Sequence, residues 1–493
     1  MQLIDKDLLS MQEVRELVEA AKEAQQELAR MDQAQVDRIV RAIADAGVRN
    51  ARRLAQMANE DTGFGIVDDK VIKNIFASRG VYEHIKDMKT IGEISRDDAK
   101  RLRTIAVPVG VIAGLIPSTN PTSTALYKAE IAIKAGNAIV FSPHPTALRC
   151  ILETVKVIRQ AVAEAGGNEN LVSCITIPTM EATDNLMRHR DVAMILATGG
   201  SAMVRAAYSS GTPAIGVGPG NGPAYLEKTC DLPLAVKRIL DSKTFDNGTI
   251  CASEQSIICD DDMVPAVKAE MERQGAYFLD DEEREKLGRF ILRANGTMNP
   301  EIVGRSVKTS ANLAGLEKVP ATARVLVAKE TGVGRGHPYS NEKLGPILAF
   351  YTAENYEKVC EKVCEILHYE GAGHTFSMHT NDDKMVDYFA RRVPASRVMV
   401  NTPSALGGIG GTTALQPALT LGCGAVGGSA TSENVGPRHL LNLRYVAYGL
   451  KELDEIRASV PDCSDGVCRT APSLENIDVD DIVRQIIGKL QKL

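Results

Sequence analysis

Between Met11 and Asn59 the apolar residues recur at helical spacing among Glu, Lys, Arg and Gln, which predicts two or three amphipathic helices that serve packing rather than chemistry. Thereafter the period changes. An apolar run at 104–117 reads as strand. It is followed by a helix at 123–135, a strand at 138–142, a helix at 147–165, a strand at 171–177, and a strand at 192–197 that leads into a helix from Ser201. Strands alternating with helices in this way build a parallel sheet with helices on both faces, so an α/β fold is predicted. A second alternating region runs from about Asp246 to Asn442, with strands predicted at 255–259, 324–327 and 397–401 and helices at 263–273 and 356–367. Beyond Arg457 the chain turns to Ser-Val-Pro-Asp-Cys-Ser-Asp-Gly and Thr-Ala-Pro-Ser, the composition of a flexible linker. Past the linker, Asp478 can cap a last helix in which Val479, Ile482, Val483, Ile486, Ile487, Leu490 and Leu493 form one apolar stripe.

Length and charge narrow this picture. A chain of 493 residues, 44% hydrophobic, is long enough for more than one core. Its net charge of -6, with both signs mixed, offers no broad basic surface for a nucleic acid or an anionic membrane, so neither is expected as a partner. Ten cysteines are sparse at this length, and isolated ones such as Cys150, Cys174 and Cys230 fit the reduced thiols of a cytosol. The first residues carry acid where a signal peptide carries base, and the longest apolar stretch is short and broken by glycine. A soluble cytoplasmic protein is expected. No metal site is expected either: Cys360 and Cys364 lie in a Glu/Lys-rich helical stretch, and Cys463 and Cys468 lack histidines at zinc spacing.

Three segments carry candidate chemistry. Phe245-Asp-Asn-Gly-Thr-Ile-Cys251 places a cysteine just after turn-forming Asn-Gly, where a loop can present its sulfur at the mouth of a lobe. A thiolate attacks aldehyde carbonyls readily, although a lone cysteine is more often simply buried. Attack makes an oxyanion that needs fixed donors, and Asn120, where a strand ends and a helix begins, can supply one or can merely cap that helix. Gly216-Val-Gly218-Pro-Gly-Asn-Gly precedes a strand-like Ala-Tyr-Leu-Glu and so fails as a dinucleotide fingerprint. Ala197-Thr-Gly-Gly200-Ser is better placed: a strand runs into glycines at the start of a helix whose amides can face a pyrophosphate, unless this is only a tight turn.

With Thr244-Phe-Asp-Asn-Gly-Thr-Ile-Cys-Ala-Ser-Glu-Gln stand Ile116-Pro-Ser-Thr-Asn-Pro-Thr-Ser-Thr-Ala, Phe141-Ser-Pro-His-Pro, Glu342-Lys-Leu-Gly-Pro, Gly373-His-Thr, Leu419-Thr-Leu-Gly-Cys-Gly and Ser432-Glu-Asn-Val-Gly-Pro. By these motifs the chain resembles the CoA-acylating aldehyde dehydrogenases from about Met11 to Tyr448, and in particular the aldehyde dehydrogenase half of bifunctional alcohol/aldehyde dehydrogenases. The resemblance implies an aldehyde dehydrogenase fold: N-terminal helices and a Rossmann-like dinucleotide-binding domain at 1–243, a catalytic domain at 244–442 and an oligomerisation strand at 443–458; composition and apolar spacing place the linker at 459–475 and the terminal helix at 476–493. It implies Cys251 as nucleophile and Asn120 as oxyanion donor. It also implies that Leu115, Ile116, Pro117, Ser118, Thr119 and Asn120 line the cofactor, that Gly200 and Gly218 pack close to it, that Glu342 binds the nicotinamide ribose and that Leu421 lies near the nicotinamide. A homo-oligomer is expected on the same ground.

Hydrolytic relatives carry a Glu-Leu-Gly-Gly base where this chain has Gly218-Pro-Gly-Asn221, so water would lack its activating group and coenzyme A would take the acyl group. His374 has two open readings, as proton acceptor for the incoming thiol or as a structural hydrogen-bonding residue. The expected reaction is aldehyde + CoA + NAD to acyl-CoA + NADH, with acetaldehyde preferred and propionaldehyde or sulfoacetaldehyde open. NADP stays possible, because Phe141-Ser-Pro-His-Pro lacks the acid that would select against a 2′-phosphate. The terminal helix resembles the encapsulation peptides that bring enzymes to the shell proteins of bacterial microcompartments, the alternative being that it folds onto its own subunit. A hydrolytic dehydrogenase and a non-catalytic shell-binding scaffold are the rival functions.

Overall fold

The computed structural model describes residues 4–293 and 296–460; the linker beyond Val460 and the helix expected at 476–493 lie outside the described residues. The chain forms two units. Of the described residues, the larger comprises those up to Ile94 and Ala106–Leu443, and the smaller Ser95–Ile105 and those from Arg444 to Val460.

In the larger unit the N-terminal amphipathic stretch is two helices, α1 (Lys6–Leu28) and α2 (Gln33–Thr62). Asp32 starts the second: its carboxylate accepts from Gln35 N at 2.8 Å while the Gln35 side chain accepts from Asp32 N at 2.9 Å. Next, α3 (Val67–Ile75) passes through a wider turn, Phe76–Gly80, into α4 (Val81–Ile85), elements that the period analysis does not resolve.

The run at 104–117 is two strands, not one. β1 (Gly92–Asp97) and β2 (Leu102–Pro108) share a three-stranded sheet with β15 (Leu441–Ala447), in the order β1-β2-β15. β3 (Val111–Ile116) starts a different sheet after Gly110, whose φ of 131° is open to glycine but strained for other residues. Apolarity alone does not reveal this break, because both strands are apolar.

β3 is the centre of a parallel sheet with β4 (Ala138–Pro143), β5 (Val172–Cys174), β6 (Val192–Thr198) and β7 (Ala214–Val217), in the order β5-β4-β3-β6-β7. Every residue of β3 and β4 is buried, which is why these strands read as unbroken apolar runs. The helices α5 (Pro121–Lys134), α6 (Leu148–Glu164), α7 (Met180–Arg188) and α8 (Ser201–Ser209) connect or follow the strands. The chain leaves β3 toward β4 on one side and returns through β6 on the other, which opens a crevice at their carboxyl ends, the usual place for a ligand in such a sheet.

The second sheet has seven strands in the order β10-β11-β12-β9-β8-β13-β14. They are β8 (Gly222–Leu226), β9 (Glu254–Asp260), β10 (Ala276–Phe278), β11 (Val325–Lys329), β12 (Ile347–Ala353), β13 (Gly373–His379) and β14 (Ala395–Val400). β8 lies between β9 and β13, with Ala224 opposite Ile257 and Ser377. The chain therefore enters the second sheet before α9 (Leu232–Thr244), earlier than the expected boundary at 243. Apolar patterning marks Gly222–Leu226 as strand but says nothing about which strand it pairs with.

In the smaller unit, Arg101 Nη1 donates to Gly449 O at 3.1 Å, and the Arg101 guanidinium lies 5.4 Å from the centre of the Tyr448 ring. Tyr445, Leu450 and Leu453 are exposed.

Candidate active site

A cavity of about 550 Å³ opens at the carboxyl ends of β3 and β6 in the larger unit. Leu115, Ile116, Pro117, Ser118, Thr119 and Asn120 enter it from the β3–α5 turn, Gly200 from the start of α8, Gly218 from the β7–β8 connection, and Glu342 and Leu421 from later loops, together with Cys251. The residues singled out from sequence are thus brought to one cavity, with the exception of His374. Among the described residues the lining holds no lysine or arginine, and Glu342 is its one carboxylate.

Cys251 follows a tight reversal, Phe245–Gly248, in which Asp246, Asn247 and Gly248 take φ of 48°, 52° and 72°. Left-handed backbone is costly for aspartate and asparagine, and their side chains hold it in place. Asp246 Oδ1 accepts from Ile66 N at 2.7 Å, Asp246 N donates to Asp69 Oδ2 at 2.7 Å, and Asn247 Nδ2 donates to Gly304 O at 2.9 Å. Gly65 fits against this turn because a Cβ on it would collide with the Asp246 carboxylate. Burial, with the negative charge of Glu342 and the neighbouring Cys423, pushes the Cys251 thiol up to about 12, against a smaller opposing effect of Arg397. In this state the sulfur is a thiol at neutral pH, so attack requires loss of its proton as substrate binds.

Asn120 stands at the start of α5 without capping it. Its amide faces two ways. Nδ2 donates to Thr249 O at 3.1 Å, two residues before Cys251, and to Thr119 Oγ1 at 3.2 Å. Oδ1 accepts from Lys73 Nζ at 2.6 Å. Lys73, on α3, also donates to Asp246 Oδ2 at 2.5 Å and Thr249 Oγ1 at 2.9 Å. Lys70 adds a second ammonium 3.0 Å from Asp246 Oδ2. All three charged side chains are buried. Burial pulls Lys73 down to about 8 although Asp246 opposes it; burial alone would raise the Asp246 carboxyl, but the two ammoniums hold it below its ordinary value. Sequence reasoning missed this cluster. Lys70 and Lys73 sit one helical turn apart in Val67-Asp-Asp-Lys-Val-Ile-Lys73, where Lys ordinarily faces water, and nothing local links them to a residue some 170 positions on.

Gly220 joins the nucleophile to Glu342. Its N–H donates to Glu342 Oε1 at 2.9 Å, and a Cβ on it would run into the Cys251 carbonyl oxygen. Burial and the nearby Glu370 push the Glu342 carboxyl up to about 8. In the same connection Asn221 is occupied structurally, donating from Nδ2 to Ser340 O at 2.7 Å.

His374, on β13, is buried and does not line the cavity. Its Nδ1 lies 2.8 Å from Thr375 Oγ1, and its Nε2 has no hydrogen-bond partner among the described residues. Burial, reinforced by the Arg397 guanidinium, holds it down at about 3, so the imidazole is neutral. Arg397 is itself buried and donates from Nη2 to Gly422 O at 2.7 Å.

Among the described residues no cluster of His, Cys, Asp or Glu suits a metal ion, and no helix is long and apolar enough to cross a membrane.

Residues 4–314 match the aldehyde dehydrogenase family. The chain is 45% identical over 440 residues to the bifunctional aldehyde-alcohol dehydrogenase of Escherichia coli (strain K12), an alignment covering 88% of this chain and 49% of that relative. The chain thus spans about half the length of such bifunctional relatives. A crystal structure from Listeria monocytogenes EGD-e, described as a probable aldehyde dehydrogenase, superposes with a TM-score of 0.91 at 62% identity, covering 92% of this chain and 100% of that one. An acetylating aldehyde dehydrogenase from Geobacillus thermoglucosidasius gives 0.90 at 50% identity, covering 92% and 99%.

Proposed function

Since the chain belongs to the aldehyde dehydrogenase family, we propose that it oxidises a small uncharged aldehyde and passes the acyl group to coenzyme A, with Cys251 as the nucleophile. The carrying observation is the composition of the cavity. A thiol and a fixed carboxamide meet at the carboxyl ends of parallel strands, and the segment Gly218-Pro-Gly-Asn221 brings no carboxylate there to activate water.

In this reading Cys251 loses its proton and attacks the aldehyde, while the Asn120 side-chain amide and the Cys251 main-chain N–H receive the developing oxyanion. A nicotinamide dinucleotide fits what the chain offers: Cβ atoms built on Gly200 or Gly218 would meet nothing within 4 Å, and Gly200, which starts α8, lines the cavity. Leu115 to Asn120, Gly200, Gly218, Glu342 and Leu421 would hold it, and it would supply the acceptor for the departing hydride. The thioester left on Cys251 then persists, because no base near Asn221 turns water on it. The CoA thiol takes the acyl group and restores the Cys251 thiol. NAD is the preferred acceptor; the strand end at Pro143 and His144 presents no carboxylate against a 2′-phosphate, so NADP competes. Phe64, Ile250, Val303 and Leu344 make part of the lining apolar, and a sulfonate or carboxylate on the substrate would meet no lysine or arginine there, which favours acetaldehyde and then propionaldehyde.

The test is an assay with acetaldehyde, NAD or NADP, and CoA either present or omitted. With CoA, NADH should accumulate steadily. Without it there should be one burst of about one equivalent and then near silence. Steady release of acetate without CoA would refute the proposal in favour of a hydrolytic enzyme, and Cys251→Ala should abolish both phases.

We further propose a homo-oligomer joined through the region of β15, whose neighbourhood exposes Tyr445 and Leu450, and shell recruitment through residues 476–493.

A further inference from the structure

We propose that Lys73 is a positioning residue for the oxyanion site: its buried ammonium fixes which end of the Asn120 amide faces the nucleophile loop. The inference rests on the reading of Asn120 as oxyanion donor and goes beyond it, to the group that makes that donor available.

The argument starts from donors and acceptors. An ammonium has three hydrogens and no lone pair. Those of Lys73 are matched by three oxygens, Asn120 Oδ1 at 2.6 Å, Asp246 Oδ2 at 2.5 Å and Thr249 Oγ1 at 2.9 Å. A carboxamide can turn over by half a revolution with little change in shape, and in water both orientations are populated. Here one of them is penalised. Turned over, Asn120 would set its NH₂ against the ammonium and its oxygen against the Thr249 carbonyl, pairing donor with donor and acceptor with acceptor inside a buried site. Lys73 therefore selects the orientation in which N–H bonds face the loop that carries Cys251.

Pairing with Asp246 is only part of what Lys73 does. Lys73 reaches the Asp246 carboxylate at 2.5 Å, and Lys70 at 3.0 Å and the Ile66 amide at 2.7 Å reach it too. What Lys73 alone reaches is the Asn120 oxygen, and a cation on that oxygen also polarises the amide, making its N–H bonds better donors toward a negative oxygen.

A double-mutant cycle tests this, with Asn120→Ala, Lys73→Met and the pair. The first readout is the rate of the NADH burst without CoA, which requires an oxyanion; the second is alkylation of Cys251 by iodoacetamide, which does not. Asn120→Ala should slow the burst about 100-fold, the usual cost of one lost oxyanion donor. Lys73→Met should slow it about tenfold or more, and the pair should be no slower than Asn120→Ala, because Lys73 has nothing left to orient. Alkylation should stay within about twofold throughout, since a side chain that only positions the amide leaves the sulfur as it was. If Lys73→Met fails to fold, Lys73→Ala, which also removes the donor to Asn120 Oδ1, carries the same cycle with Lys70 still paired to Asp246. An unchanged burst in the Lys73 variant, additive losses in the pair, or a matching fall in alkylation would each overturn the proposal. A normal burst in Asn120→Ala would instead remove the oxyanion reading on which it stands.

Discussion

His374 illustrates how burial sets the chemistry available to a single side chain. An exposed imidazole is half protonated near pH 6.5, but here burial and Arg397 hold the ring neutral down to about pH 3. Its Nε2 lacks a hydrogen-bond partner among the described residues. If His374 receives the proton of the CoA thiol, His374→Gln should leave the NADH burst intact and slow acyl transfer by about tenfold, less than a base poised near neutral pH would supply. In the unsubstituted protein, transfer should show no acid-side loss from this group between pH 5.5 and 8, because its depressed value keeps the basic form in place across that window. Single-turnover transfer measured across that pH range checks both statements. A Gln variant that transfers at the original rate would leave the structural reading.

At the scale of elements, the catalytic groups ride on connections rather than on strands. The β7–β8 connection is an example, because Gly220 lies against the Cys251 carbonyl and simultaneously donates to Glu342. No residue larger than glycine fits without moving the loop. Gly220→Ala should therefore remain folded by circular dichroism yet lose about 100-fold in turnover, since displacement of the nucleophile by about 1 Å is enough for that. Full activity in this variant would mean that the loop is free to give way. The reversal at Asp246 and Asn247 obeys the same logic, with strained backbone held by side-chain bonds to α3 and to Gly304.

At the scale of the whole molecule, residues 459–493 are proposed as an address rather than as part of the enzyme. Deleting them should leave specific activity and oligomeric mass per subunit unchanged while abolishing recruitment to shell proteins, measured by co-sedimentation with assembled shells. An inactive or unfolded product would refute that role. By itself the sequence determined the alternation of strands and helices, the loop character of Phe245–Cys251, and the long motifs carried by Asn120, Cys251 and Glu342, because these are properties of neighbours along the chain. Only the tertiary structure decided that 104–117 is divided between two sheets, that Gly222–Leu226 joins the second sheet, that His374 stands off the cavity, and that Lys70 and Lys73 are buried against Asp246. Strand partners, burial and charge pairing depend on residues far apart in the chain meeting in space, and local periodicity holds no record of which distant residues meet.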